Sequence, residues 1–190
     1  MWERLIANWV YGGFLAGVLL LLLTPVIARS WSTVLTATFL LLPVYMIHQY
    51  EEHDDDRFRR FFNQTVGQGK EVLSPRAVFV INIPGVWGVI AISLWLTAFV
   101  AAEYALIAVY VVLVNAVVHV VGVAVFHGYN PGLGTAIALF FPAGAYALWE
   151  VQKSGGASLG THAIALLIAI GTHAAIVLYA KHKQATAKVA

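Results

Sequence analysis

The sequence predicts an all-α fold, a polytopic membrane bundle of six transmembrane helices with both termini in the cytoplasm. Three observations lead there. Hydrophobic residues make up 61% of the 190 residues and charged ones only 11%, against about 25% charged in a water-soluble domain, and the mean hydropathy is +0.81. Several apolar runs reach the roughly 20 residues that a helix rising about 1.5 Å per residue needs to cross the hydrocarbon layer. Nine of the eleven Lys and Arg residues fall on one side of a six-span topology.

The first span is read over about Ile6 to Ala28 and is too long for the apolar region of a cleaved signal peptide. The second runs from Val34 to Tyr50, after a short loop with Trp31. From 51 to 76 comes the one long polar stretch, in which three aspartates are followed by Arg57-Phe58-Arg59-Arg60-Phe61-Phe62. Interleaved Arg and Phe suit an amphipathic helix lying on the cytoplasmic surface, rings down and guanidiniums toward anionic lipid headgroups. Spans three to six follow at about Ala77 to Val100, Glu103 to Phe126, Leu133 to Trp149 and Leu159 to Ala180. Pro and Gly turns separate them. No repeat or second domain interrupts residues 1–190, which read as a single transmembrane domain.

Arg4, the five basic residues of 57–76, and Lys181, Lys183 and Lys188 lie on the terminal side; only Arg29 and Lys153 lie opposite. That bias places the termini and the long loop in the cytoplasm. The net charge of +2 says little about partners, and no nucleic-acid partner is expected. With no cysteine, disulfides, thiolate metal sites and a cysteine nucleophile are all excluded. Any metal must be held by His, Glu, Asp or Asn.

The polar residues of the spans converge at one depth. His48, Glu51 and Glu52 stand at i, i+3 and i+4, so an imidazole and two carboxylates share one helix face. Charge at that depth is costly unless paired, solvated or metal-bound. Asn115 and His119 form a second i, i+4 pair on span four. Asn82 on span three, His173 on span six, and His127 with Tyr129 and Asn130 at the turn after span four complete the set.

Each also has a structural explanation. The His-Glu cluster could be a solvated helix end, Asn115 and His119 an interhelical hydrogen bond, Asn82 a partner for backbone freed by Pro84, and His127 and Tyr129 interfacial. His53 reads as a solvated or supporting group, His162, Glu103 and Glu150 as interfacial residues of the outer end, and His182 as tail.

His48-Gln49-Tyr50-Glu51-Glu52 resembles the family of small membrane proteins named for its HXXEE motif, of unknown function. That family also shows an N-x-x-x-H element and a Y-x-P-G turn, matched in order by Asn115 to His119 and by Tyr129-Asn130-Pro131-Gly132. A more distant chemical analogy holds to the CAAX prenyl protease family, which sets paired Glu, two His and an Asn on transmembrane helices. Here Glu51, Glu52, His119, Asn115 and His173 would correspond, with a different order and spacing and with the arginine after the Glu pair displaced to Arg57.

The favoured reading is a metal-dependent, hydrolase-like membrane enzyme acting on a lipid-like or isoprenoid substrate from the cytoplasmic leaflet. His48, His119 and Glu52 would be metal ligands, with water in an open position. Glu51 would be the general base, Asn115 would stabilise an oxyanion, and Tyr129 would shape the mouth. Successive helical residues point about 100° apart, so one Glu suffices as third ligand and the other is spare. Zinc fits two imidazoles and a carboxylate, and iron fits too. The alternatives are a proton- or metal-ion transporter, a metal-free acid/base cyclase or isomerase, and a non-haem iron oxygenase.

Overall fold

The computed structural model describes residues 1–186. Lys188, used in the charge count, lies outside the described residues. The helices are α1 (Trp2–Ile27), α2 (Thr33–His53), α3 (Arg57–Thr65), α4 (Pro75–Phe99), α5 (Ala102–Phe126), α6 (Leu133–Lys153) and α7 (Leu159–Thr186). There is no strand among the described residues. Six helices are long and apolar enough to cross a membrane, as expected from the hydropathy. The expected second span stops at Tyr50, whereas α2 continues to His53, so both glutamates of the motif are helical. Ser32 opens α2 by accepting from the Leu35 N–H at 3.2 Å, which satisfies one of the free donors of the first turn.

The core joins α2, α4, α5 and α6 through Leu41, Tyr45, Ile90, Val109, Val112 and Phe140, all nearly or fully buried. α1 packs along α2, closest at Gly17, where a Cβ would stand 3.0 Å from the Pro43 carbonyl oxygen. Two π-helical stretches interrupt the spans. One, Ile81–Trp87, contains Pro84, and the other, Ala136–Phe140, precedes Pro142. Proline has no N–H to continue the i to i−4 ladder, and a π turn absorbs the mismatch.

The N-terminal residues, the last described turns of α7 and the polar segment meet at one end of the bundle. Arg76 pairs with Glu3, Lys70 Nζ donates to the Gln184 carbonyl at 3.3 Å, and Phe62, Val72, Val78 and Ala180 pack with Trp9. At the opposite end α7 rests on α5 through Ala165 and Leu106 and through a 2.8 Å bond between Tyr110 and His162. α7 therefore touches α5 at one end and crosses to the 62–78 segment at the other. A cavity of about 470 Å³ opens between the two helices.

Within the polar segment the expected amphipathic helix forms as α3. Asp55 and Asp56 take left-handed backbone, with φ of 51° and 59°, a conformation that aspartate tolerates better than most residues. The chain reverses there and lays α3 across the end of the bundle. Phe58, Phe61 and Phe62 line the cavity. The three guanidiniums pair within the segment: Arg57 with Asp54 at 3.3 Å, Arg60 with Asp55 at 2.8 Å, and Arg59 with both Asp56 at 2.5 Å and Glu71 at 2.7 Å.

Asn63 ties the following loop. Its Oδ1 accepts from the N–H groups of Val72 at 3.0 Å and Leu73 at 2.8 Å, and its Nδ2 donates to the Leu73 carbonyl at 3.0 Å. Asn63→Ala leaves the Leu73 N–H without its partner, while Val72 N–H keeps the Lys70 carbonyl at 3.0 Å, at a cost of about 1–3 kcal/mol. Thermal unfolding in detergent is expected to show a lowered midpoint for this variant, and an unchanged midpoint would show that the loop is not held this way.

Candidate metal centre

Three side chains from two helices converge in the interior. His48 Nε2 lies 3.5 Å from Glu52 Oε2, and His119 Nε2 lies 3.7 Å from Glu52 Oε1. A ligand atom from each of the three residues lies within 4.8 Å of the others, and all three residues are buried. The helical spacing of the motif explains the first pair. The second depends on α5 presenting His119 to α2.

The protons on the two imidazoles can be placed from their other nitrogens. Thr135 Oγ1 donates to Glu51 Oε2 at 2.5 Å, so its lone pair accepts from His48 Nδ1–H at 2.9 Å. Asn130 donates through Nδ2 to the His119 carbonyl at 2.9 Å, which turns its Oδ1 toward His119 Nδ1 at 2.6 Å. That oxygen only accepts, so His119 Nδ1 also carries its proton. When the rings are neutral, their Nε2 lone pairs therefore face the Glu52 carboxylate. Nothing donates to His48 Nε2, which is fully buried without a hydrogen-bond partner.

Such an array is unfavourable by itself. With both rings neutral, three lone-pair groups face one another and repel, and the nearest nitrogen to the carboxylate is that of a further histidine, His53 Nε2, 3.2 Å from Glu52 Oε2. The residues fit a cation. Ligands at about 2.0–2.2 Å from a tetrahedral ion stand about 3.3–3.5 Å apart, close to the observed separations. A direct charge-assisted hydrogen bond would be shorter, at about 2.7–2.9 Å. An Nδ1–H held by an acceptor is also how metal-binding histidines are oriented.

The Tyr129 to Gly132 turn completes the arrangement. Gly132 has φ of +97°, and a Cβ there would meet His119 Cε1 at 2.7 Å and His48 Cε1 at 2.8 Å. Only glycine lets the backbone lie this close to both rings. Below His48, Phe140 packs with its ring centroid 4.1 Å away, at the end of the π stretch in α6.

Glu51 does not join the trio. It stands on the Nδ1 side of His48, where Oε1 accepts from Tyr129 OH at 2.5 Å and Gly134 N–H at 3.0 Å, and Oε2 from Thr135 N–H at 2.6 Å as well as from Thr135 Oγ1. The base expected at Glu51 thus has both oxygens occupied by donors and faces the 129–135 turn. Tyr129, expected at the mouth, is tied to that carboxylate. Its partial burial and this bond push the phenol above its ordinary value, so it stays a donor.

The remaining expected residues divide by position. Asn115 donates to Tyr45 OH at 2.8 Å and lines the cavity, its Oδ1 buried without a partner. His173 also lines it, with Nδ1 donating to the Ala169 carbonyl at 2.8 Å. His53 is buried rather than solvated, its ring tilted against Trp9 with centroids 5.1 Å apart, and its Nε2 lies 3.2 Å from Glu52 Oε2. Asn82 bonds the Val78 carbonyl, not that of Val80 four residues before Pro84, and accepts from Gln49, which in turn accepts from Trp87 at 2.5 Å. His127 ends α5 in left-handed backbone, and His182 is exposed. His162, Glu103 and Glu150 sit at the far end, where Glu150 is buried.

Thr135 and Gly132 are the residues sequence reasoning missed as site-builders. Gly132 had a signal, since a turn glycine between two candidate ligands hints at close approach. Thr135 had none, being an ordinary first-turn threonine of the fifth span.

A membrane helical bundle with a buried two-histidine, one-carboxylate set is the class of protein that this fold and site define. The sequence profile of the family described as a protein of unknown function with HXXEE motif matches residues 39–147. That is more than half of the chain, and the chain belongs to this family. The match takes in the trio and the turn, while α1 and His173 of α7 lie outside it. No curated protein and no solved structure matches the chain.

The proton placement can be measured. ¹⁵N spectra of the metal-free protein near neutral pH are expected to show His48 and His119 protonated at Nδ1, and Asn130→Leu should release His119 to a mixture of tautomers. A predominantly Nε2-protonated His119 in the unaltered protein would remove the argument for the bare lone pair.

Proposed function

We propose that this chain is a metal-dependent integral membrane enzyme, hydrolase-like, acting on a lipid-like or isoprenoid substrate at the cytoplasmic leaflet. The observation that carries the proposal is the pair of imidazoles whose Nδ1 atoms face acceptors at Thr135 and Asn130 while their Nε2 atoms face the Glu52 carboxylate at 3.5 and 3.7 Å. A divalent cation, zinc by ligand type and iron as the other candidate, would be held by His48, His119 and Glu52. Such an ion, when bound, supplies Lewis-acid polarisation of a substrate oxygen and activation of water.

The chain's own groups divide the remaining work. Glu51 acts as a positioning residue: it fixes Thr135, which fixes the ring of His48, in place of the base role that its sequence position suggested. Asn130 does the same for His119. Asn115 and His173 face the adjoining cavity. His173 spends its proton on the Ala169 carbonyl, which leaves Nε2 as a base on that wall, and Asn115 orients a polar group of the substrate. The apolar remainder of the cavity supports a lipid-like substrate. The cytoplasmic placement rests on the charge bias, since the site shares its end of the bundle with the terminal residues and the basic segment.

Elemental analysis of gently purified protein is expected to find about one divalent ion per chain, lost in His48→Ala, His119→Ala and Glu52→Gln. Glu51→Gln should instead weaken metal affinity by about 10–100-fold, the usual cost of losing an orienting partner. Stoichiometric metal in the three ligand variants would exclude the trio, and a metal-free unaltered protein would leave a proton-sharing acid/base site.

The orientation has a separate test. A reporter fused after Ala190 should be active only in the cytoplasm, and activity on the other side of the membrane would reverse the placement.

A further inference from the structure

The cavity between α3, α5 and α7 has a composition that selects among lipid-like ligands. One wall is polar and carries Glu52, Asn115, His119 and His173, while most of the rest is aliphatic or aromatic. Its volume of about 470 Å³ lies within the range of about 300–1,000 Å³ typical of sites for one small ligand, which suits one chain rather than the two of a diacyl lipid. Val118 on α5 and Val177 on α7 line it and are still 49% and 42% exposed. Both belong to helices long and apolar enough to span a membrane, so an opening between them would face lipid. The cavity opens sideways to the bilayer.

Its charge is equally specific. Among the described residues, no lysine or arginine lines it. The guanidiniums of α3, adjacent to the cavity, are taken by the aspartates at 54–56. A phosphate monoester brings about two negative charges, and proteins meet such groups with Arg or Lys forks. Here a divalent ion against one carboxylate would leave a single net positive charge. That suffices to polarise a carbonyl or hydroxyl oxygen, but it does not balance a diphosphate. Asn115 Oδ1, buried and without a donor, adds a place for one O–H or N–H of the ligand.

We infer that the cavity binds a single-chain amphiphile with an uncharged oxygen-bearing head, an alcohol, ester or amide, which enters laterally between α5 and α7 with its head at the histidine–glutamate trio. This rests on the trio being the reactive end of the cavity. It narrows the substrate class by excluding prenyl diphosphates and lipid phosphates.

The test keeps the chain constant and varies the head. Binding of tritiated hexadecanol to the purified full-length protein in an uncharged detergent is measured, with methyl palmitate and hexadecyl phosphate as competitors. Saturable hexadecanol binding is expected, displaced by the ester and at least about tenfold less well by the phosphate. Val177→Trp and Val118→Trp, each filling the cavity from a different helix, should each weaken binding about tenfold or more with metal content unchanged. If one variant does not fold, the other carries the comparison. No saturable binding, displacement by the phosphate at least equal to that by the ester, or unaltered binding in the folded variants would overturn the inference. Saturable, head-selective binding in a protein that holds no metal would support the cavity assignment while removing the metal reading.

Discussion

The site depends on a repulsion that the fold does not relieve by itself. Glu52 is buried against two imidazoles whose protons are committed elsewhere, to Thr135 and to Asn130. In the interior such an arrangement favours a positive charge beside Glu52, from a bound cation or from a protonated histidine, and His53 Nε2 also lies 3.2 Å from that carboxylate. The surrounding structure enforces the arrangement: α2 supplies the helical spacing, α5 brings His119 across, and the turn at Gly132 closes over both rings. The residues behind the ligands consequently matter as much as the ligands, because a rotated ring would turn its N–H toward Glu52 and supply the missing proton.

This also explains why the two glutamates of the motif, adjacent in sequence, differ in environment. Glu52 points inward to bare nitrogen lone pairs. Glu51, about 100° around the helix, meets a cluster of donors from the start of α6. Glu51 is saturated by donors, whereas Glu52 has only histidine nitrogens within reach. The same helix face that marks a cluster in the sequence thus separates into a half that faces the histidines and a half that faces the 129–135 turn.

Much of this was legible in the sequence. Six spans could be placed from hydropathy, and His48, Glu52 and His119 could be named from spacing and from the depth that topology assigns. The surroundings of Glu51 were not legible, because helical geometry alone leaves both carboxylates compatible with ligation and the deciding donors come from residues about eighty positions away. The fate of the Arg-Phe segment was hidden for a similar reason. A surface helix and a helix folded back over the bundle share one amphipathic pattern, and left-handed backbone at Asp55 and Asp56 decides between them. Thr135 carried no pattern, since its importance comes from standing between Glu51 and His48 in space.

X-ray absorption of the zinc-loaded protein tests the central claim most directly. The geometry calls for a first shell of nitrogen and oxygen at about 2.0–2.1 Å, with the multiple-scattering signature of two imidazoles. That signature should fall to one imidazole in His119→Ala reconstituted with excess zinc. A shell of oxygen alone, or one unchanged by that substitution, would contradict a centre built from His48, Glu52 and His119.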